Sequence, residues 1–475
     1  MALTAELYEI ASNEYENSLT DEFKKDNGVF YTDLSLAEKM LTAVKPFLNQ
    51  DTSVILDPCC GVGCFLFAAH KYGYKHVYGI DVDSAAISFC ADSIEGTTLI
   101  KSDFIGNSAK DTLSLLELAD KVDCIIGNPP YVPVGDRVEI NGDYIFRREV
   151  SDSGNNLFVA ALIRSLELLK DGGVLSYIIP KNFLHVASYS LLRRKIINEY
   201  TIVSIIDLGQ YFKNVRGEQI VLTIRKKTPL TNQNKVQIRV YKANRFPLLC
   251  KVYQSFYKDE ILLFDCDTDR EVFVQLTDTY KTLKDYCNGY VGRGKSTSDG
   301  AITGNDIRKF GYKDKAMPND DGNQIFIQNI YSAEAGVIAA FGGKLEAAQT
   351  VTIFTDGDAK MCRYILGVIH SRLCNFFLYR YCYNRSHLTM HTDAKYLKKI
   401  PLPNKSSEEF RKDFDKILPV VSALESDEYL TRQWFEDMER LNKVVYEIYG
   451  MTAELSEYID TEVKKFQSRR WISFE

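Results

Sequence analysis

Between Ser53 and Lys227 short apolar strands alternate with amphipathic helical stretches, and this alternation restricts the fold more than any other feature of the chain. The strands read Ser53-Val-Ile-Leu-Asp57, His76-Val-Tyr-Gly-Ile-Asp81, Val122-Asp-Cys-Ile-Ile-Gly127, Val174-Leu-Ser-Tyr-Ile-Ile-Pro180 and Ile202-Val-Ser-Ile-Ile-Asp207. Strands separated by helices line up parallel, with the helices packed on both faces of the sheet. Gln219-Ile-Val-Leu-Thr-Ile-Arg225 follows Asp207 too closely for a full intervening helix, so it is expected to pair antiparallel as a hairpin. The expected fold class is α/β, a doubly wound and mainly parallel sheet, followed by a C-terminal domain of mixed α+β.

The alternation ends near Lys227, where Thr228-Pro-Leu-Thr-Asn-Gln-Asn-Lys235 is a polar stretch of turn formers. Three divisions are expected: residues 1–230 as the sheet domain, 231–403 as a second domain rich in Gly, Tyr and short strands, and 404–475 as a helical C-terminal segment. Residues 1–50 read as helical, with an extended stretch around Gly28-Val-Phe-Tyr-Thr32. At 475 residues the chain can bury two or three substantial cores, and 45% hydrophobic with 26% charged residues is ordinary for a soluble globular protein. No apolar run reaches the length of a bilayer span, and the N-terminus lacks the basic-then-apolar pattern of a signal peptide. Eleven scattered cysteines without small-domain disulfide spacing fit the same picture, a cytoplasmic protein with reduced thiols and no membrane partner.

The net charge of −6 argues against a nucleic-acid partner until it is divided along the chain. Residues 1–230 carry 23 Lys and Arg against 30 Asp and Glu, residues 231–403 carry 24 against 18, and residues 404–475 carry 11 against 16. The positive excess sits in the middle segment. Local cations there can track phosphates whatever the total, because screening makes near charges count most.

The strand Val122–Gly127 runs directly into Asn128-Pro129-Pro130-Tyr131. Pro129 holds Asn128 extended and Pro130 does the same to Pro129, so the Asn128 side-chain oxygen and the Pro129 carbonyl can point into one small volume. Two acceptors there suit an –NH₂ group with two protons to donate, and Tyr131 offers a flat ring for a base. The plain alternative is a Pro-rich loop with a buried Tyr. Upstream, the first strand ends Asp57-Pro-Cys-Cys-Gly61-Val-Gly63 and enters a helix. Its glycines let the backbone pass close to a ligand and keep the helix N-terminus open. The spacing is not Gly-x-Gly-x-x-Gly, so no pyrophosphate is implied. The second strand ends in Asp81, where such sheets place a carboxylate for ribose hydroxyls. Asp103-Phe104 closes the next extended stretch, with a carboxylate for an exocyclic amine beside a ring for a purine. Singly these are helix caps and common turns; in this order they form a set.

The ordered set Phe30-Tyr31-Thr32, Asp57-Pro58-Cys59-Cys60-Gly61-Val62-Gly63, Asp81, Asp103-Phe104 and Asn128-Pro129-Pro130-Tyr131 resembles the gamma class of DNA adenine-N6 methyltransferases of restriction–modification type. The likeness covers residues 25–225 by motif order. It covers 280–403 loosely, through Gly292-Arg-Gly-Lys295, Ser371-Arg-Leu-Cys-Asn375 and Lys398-Lys-Ile-Pro-Leu-Pro403. Two departures are Asp33, where the family commonly has Pro after Tyr-Thr, and Cys60 with Val62, where small or polar residues are more usual. The resemblance implies the class I methyltransferase fold, a C-terminal target-recognition domain, S-adenosylmethionine as cofactor and duplex DNA as partner. It implies Thr32 and Asp57 near the methionine part of the cofactor, Gly61 and Gly63 in the binding loop, Asp81 at the ribose, and Asp103 with Phe104 at the adenine. Asn128 and Pro129, backed by Pro130, would hold the target amine, and Tyr131 would stack on the flipped base. Phe212 falls where related enzymes place a second aromatic against the flipped base; Tyr211 is its neighbour, and core packing explains either ring equally well.

Phe376-Phe-Leu-Tyr-Arg-Tyr-Cys-Tyr-Asn-Arg385 mixes aromatics with Arg380 and Arg385, which either face DNA or sit on a Tyr-rich core helix. Arg293 and Lys295 read as phosphate contacts, without P-loop spacing. Cys374, Cys382, His387 and His391 match no usual zinc module, and no metal is expected. With no nuclease pattern in the chain, any cleavage partner is expected to be a separate cognate restriction endonuclease. Two other functions stay open: transfer to another planar amine, of ribosomal-RNA guanine or protein glutamine, and a non-catalytic DNA-binding specificity or regulatory module.

Overall fold

The computed structural model describes residues 4–471, apart from residues 21, 25–31, 136–142, 213–216, 228–232, 287–290, 320, 356, 387, 389, 393 and 404–407. Phe30, Tyr31 and His387 thus lie outside the described residues. The chain divides into two units, Met1–Leu262 and Leu263–Glu475.

The first unit is built on nine strands: β1 (Val54–Asp57), β2 (His76–Asp81), β3 (Thr98–Lys101), β4 (Val122–Gly127), β5 (Leu169–Pro180), β6 (Thr201–Gly209), β7 (Gln219–Arg225), β8 (Lys235–Val240) and β9 (Leu248–Tyr253). Their order is β3-β2-β1-β4-β5-β7-β6-β8-β9. The first five in that order run parallel, and β7 lies antiparallel between β5 and β6. The expected hairpin of β6 and β7 is present. In β4 and in the Val174–Ile179 stretch of β5 nearly every residue is buried. Helices on both faces require this, and it explains why these strands read as unbroken apolar runs.

Sequence order reverses between β1 and β4. Open α/β sheets take their ligands at such a reversal, outside the carboxyl ends of the strands. β1 ends in Asp57 and β4 in Gly127, so the two richest motifs meet there. The surrounding helices start where short polar caps allow. Asp33 caps Leu34–Val44, Asp83 caps Ser84–Ser93 and Asn156 caps Leu157–Leu168, each accepting a first-turn N–H. The core beneath the site joins Leu36 and Met40 to Phe65, Leu66, Ile126 and Ile178.

Two expected boundaries move. β8 runs parallel to β6 and β9 pairs antiparallel with β8, so the sheet continues past residue 230 and the first unit ends at Leu262. Val236, Ile238 and Val252 are buried there, and that burial decides the question against the polar stretch before it. The second unit also unites what the sequence divides at residue 403. A four-stranded antiparallel sheet of Val291–Arg293, Val351–Thr355, Gln324–Gln328 and Ala339–Phe341, in that order, is followed by helix Ala359–His370. Helix Glu408–Ser426 packs on that helix so closely that a Cβ on Gly367 would lie 2.9 Å from Ile417 and Val421. The C-terminal helices are therefore part of the second unit's core. Among the described residues no helix is long and apolar enough to cross a membrane.

Redrawing the boundary changes the charge division. Each unit carries 29 Lys and Arg against 32 Asp and Glu, a net of −3 apiece. The positive excess of residues 231–403 belongs to no folding unit.

Candidate active site

At the carboxyl end of β1 the Asp57 carboxylate is 1% exposed, and burial pushes its pKa well above the usual carboxylate range. A Cβ on Gly127, the last residue of β4, would lie 2.7 Å from Asp57 Oδ1. Glycine is required there, and its place directly before Asn128 is a signal that the sequence itself carries. The loop after Asp57 turns through left-handed backbone at Gly61 (φ +51°) and Gly63 (φ +82°). A Cβ on Gly63 would lie 2.7 Å from Ile94.

Partners from outside the motif pin this loop. The Tyr8 hydroxyl donates to the Val62 carbonyl at 2.8 Å and the Cys90 thiol to the Gly61 carbonyl at 3.2 Å. Gly61 N–H donates to Asp81 Oδ2 at 2.7 Å, and Asp83 N–H to Asp81 Oδ1 at 2.9 Å. Asp103, exposed, accepts the Ile105 and Gly106 N–H groups on Oδ1 at 3.0 and 3.1 Å. Burial first, then the charges of Asp81, Asp57 and Asp103, push the Cys59 thiol up, so three carboxylates gather about one loop. Phe104 is 2% exposed, and its ring belongs to the core under Asp103.

The Asn128 amide nitrogen donates to Thr32 Oγ1 at 3.3 Å, and its oxygen accepts from the Tyr131 hydroxyl. That hydroxyl also lies 3.1 Å from the Ile178 carbonyl of β5 and shares its one proton between the two oxygens. The Tyr131 ring meets Phe158 edge-on, with centroids 6.4 Å apart. Asn156 donates to the Tyr131 carbonyl at 3.1 Å, fixing the backbone of the tetrapeptide. Among the described residues no donor reaches the Pro129 carbonyl. The carbonyl of the buried Pro129 and the amide oxygen of Asn128 are two acceptors side by side, the pattern that suits a donor bearing two protons.

After β6, Tyr211 and Phe212 are both half-buried, with ring centroids 5.3 Å apart, edge to face. Gln219 Oε1 accepts both of their N–H groups, at 3.2 and 3.5 Å. Lys181, just past β5, is 3% exposed and bridges Asp207 at 2.9 Å and Glu218 at 3.4 Å, joining three adjacent strand ends. Tyr8, Asn156, Lys181 and Gln219 were missed because each supports the site from another element.

Arg380 and Arg385, expected as DNA contacts, are instead turned into the second unit. Arg380 is 3% exposed and pairs with Asp265, with Asp269 at 3.8 Å and with Glu462 at 2.5 Å; Arg385 pairs with Asp265. Ion-paired inside the second unit, these guanidinium groups are core ties, the plainer of the two sequence readings. Arg293 and Lys295 are exposed on either side of Gly294, where a Cβ would lie 2.3 Å from the Ala347 carbonyl oxygen.

Residues 75–212 match the family Eco57I restriction-modification methylase. That stretch of the first unit is similar to a restriction–modification methylase domain. The match contains Asp81, Asp103-Phe104 and Asn128–Tyr131. Among relatives, the Type II methyltransferase M.VspI of Vibrio sp. (strain 343) is 29% identical over 231 residues, 46% of this chain and 52% of the relative. Type II methyltransferase M.TthHB8I of Thermus thermophilus is 31% identical over 183 residues, 36% of this chain and 39% of the relative. The chain thus spans about half or less of the length of these relatives. In fold it is similar to the Type IIL restriction-modification enzyme MmeI, with a TM-score of 0.57 at 10% identity over 96% of this chain and 81% of that one. The cofactor of such a methylase domain is S-adenosylmethionine. The residues present fit it, with a loop in which Gly63 leaves no room for a Cβ, a buried Asp57, and Asp81 and Asp103 as acceptors for hydroxyl and amine protons.

Proposed function

We propose that this protein is a site-specific DNA methyltransferase that moves a methyl group from S-adenosylmethionine to the N6 amine of an adenine extruded from duplex DNA. The observation that carries the reading is the pair of acceptors after β4, Asn128 Oδ1 and the Pro129 carbonyl that no donor among the described residues reaches, set at the β1–β4 reversal next to Asp57.

S-adenosylmethionine, when bound, supplies an electrophilic methyl group. The residues that would hold it are Asp57 and Thr32 with the loop Gly61–Gly63, Asp81 for the ribose and Asp103 for the adenine. The chain's own task lies at the acceptor. The adenine amine is a poor nucleophile because its lone pair is delocalised into the ring. Asn128 Oδ1 and the Pro129 carbonyl each hold one amine proton, which favours a pyramidal nitrogen and stabilises its developing positive charge. Thr32 and Tyr131 orient the Asn128 amide, so the acceptor is set before the substrate arrives. No general base is needed before attack; a proton leaves afterwards to solvent or along a carbonyl. A stacked base cannot reach this cup. Extrusion costs a few kcal/mol, offset by stacking on Tyr131 and Phe212 at about 1–3 kcal/mol per base.

Incubation with labelled cofactor and, side by side, duplex DNA, RNA and protein tests the reading. Label in DNA that digests to N6-methyladenine is expected. Label in RNA or protein alone, or on another base, overturns it in favour of another planar amine, and no label in any acceptor points to a non-catalytic DNA-binding module.

A further inference from the structure

The sequence departs from its family resemblance at Asp33, and the structure gives that residue two bonds. Asp33 Oδ1 accepts the Leu36 N–H at 2.9 Å and caps helix Leu34–Val44, while Oδ2 accepts the hydroxyl of Tyr211, in the stretch after β6. Asp33 adjoins Thr32, whose hydroxyl accepts from the Asn128 amide. Tyr211 adjoins Phe212, both N–H groups rest on Gln219, and the Tyr211 ring lies between Phe212 (5.3 Å) and Tyr241 (5.1 Å). A second tie runs parallel to the first, with Ser35 donating to Asn244 Oδ1 at 3.2 Å and Tyr241 to the same oxygen at 3.1 Å. The amine cup and the aromatic pair after β6 are thus joined through one side-chain bond between residues 178 positions apart.

We infer that Asp33 and Tyr211 form a positioning pair that sets Phe212, as the second ring for the extruded base, against the Asn128 cup. This deepens the adenine-methyltransferase reading and rests on it. It also separates the two aromatic candidates: Tyr211 is the holder, its hydroxyl committed to Asp33, and Phe212 is the ring held. Proline at position 33 could not accept this bond, so the coupling belongs to this chain's own residue.

The test uses the full-length protein. Tyr211→Phe keeps the ring contacts and deletes only the hydroxyl; Asp33→Ser keeps a good helix cap and withdraws the carboxylate. One hydrogen bond's net contribution corresponds to a fall of about three- to tenfold in kcat for either variant, with KM for S-adenosylmethionine within about twofold of wild type. Amide hydrogen exchange of Tyr211 and Phe212 is expected to accelerate by a similar factor in both, and the double variant is expected to match the singles. Unchanged exchange and kcat in Tyr211→Phe would overturn the pairing, as would strictly additive losses in the double variant. The exchange readout needs no turnover. If the wild type proves inactive on DNA, the functional reading fails while faster exchange in the variants still upholds the Asp33–Tyr211 bond.

Discussion

At the scale of single residues, chemistry and support separate cleanly. Asn128→Ala removes one of two acceptors and leaves Asp57, Asp81 and the glycine loop in place. It should cost at least about 10²–10³ in kcat while S-adenosylhomocysteine affinity, read by calorimetry, stays near wild type. Asp81→Ala removes a carboxylate that already accepts two backbone N–H groups. It should weaken cofactor binding by about 1.5–3 kcal/mol with little effect on DNA affinity; unchanged cofactor affinity would leave Asp81 as a loop brace only. Lys309, 3% exposed in the second unit, has its pKa lowered by burial to about 7. Between that value and the unfolded-chain value near 10.5, the unfolded state carries the extra proton, so stability rises with pH through this window and falls as pH drops through about 7. The slope from this group is up to about 1.4 kcal/mol per pH unit, and Lys309→Met should remove it from the pH dependence of the urea midpoint.

At the scale of elements, bonds between strand ends and helices decide roles that local pattern leaves open. Arg380 lies on the turn after helix Arg372–Phe377 and ties it to Asp265, Asp269 and Glu462. Truncating it leaves Asp269, wholly buried, without its cation. Arg380→Ala should therefore cost about 3–5 kcal/mol of stability in denaturant unfolding. A residue that faced DNA would show the opposite result, normal stability with lost affinity. The aromatic-rich run gave no warning of this, because alternating Tyr and Arg looks the same whether the arginines meet phosphates or carboxylates distant in sequence.

At the scale of the whole molecule, equal charges of −3 on the two units mean that bulk attraction cannot steer DNA to either one. Any phosphate contact must come from local exposed cations, and Arg293 and Lys295 beside Gly294 are the named candidates. If both contact phosphate, substituting them together should make the slope of log affinity against log salt shallower by about two. An unchanged slope in a filter-binding titration would place them off the DNA path. A chain cut at residue 230 would remove β8 and β9 from the sheet, so a test of the first unit alone must keep residues through 262.

The strand–helix alternation, the glycine turns and the Asn-Pro-Pro-Tyr terminus were legible in the sequence because each is a local device: backbone period, φ above zero, and proline's hold on its neighbour. They were sufficient for the parallel sheet, the antiparallel β7 and the residues at the β1–β4 reversal. What the tertiary structure alone decided was pairing at a distance. The place of β8 and β9 in the sheet, the C-terminal helices in the second core, the burial of Arg380, the hold of Tyr8 on Val62 and the bond from Asp33 to Tyr211 all join residues far apart in the chain. No local period records such partners, since burial and hydrogen-bond satisfaction are settled only when the folded chain brings them within reach.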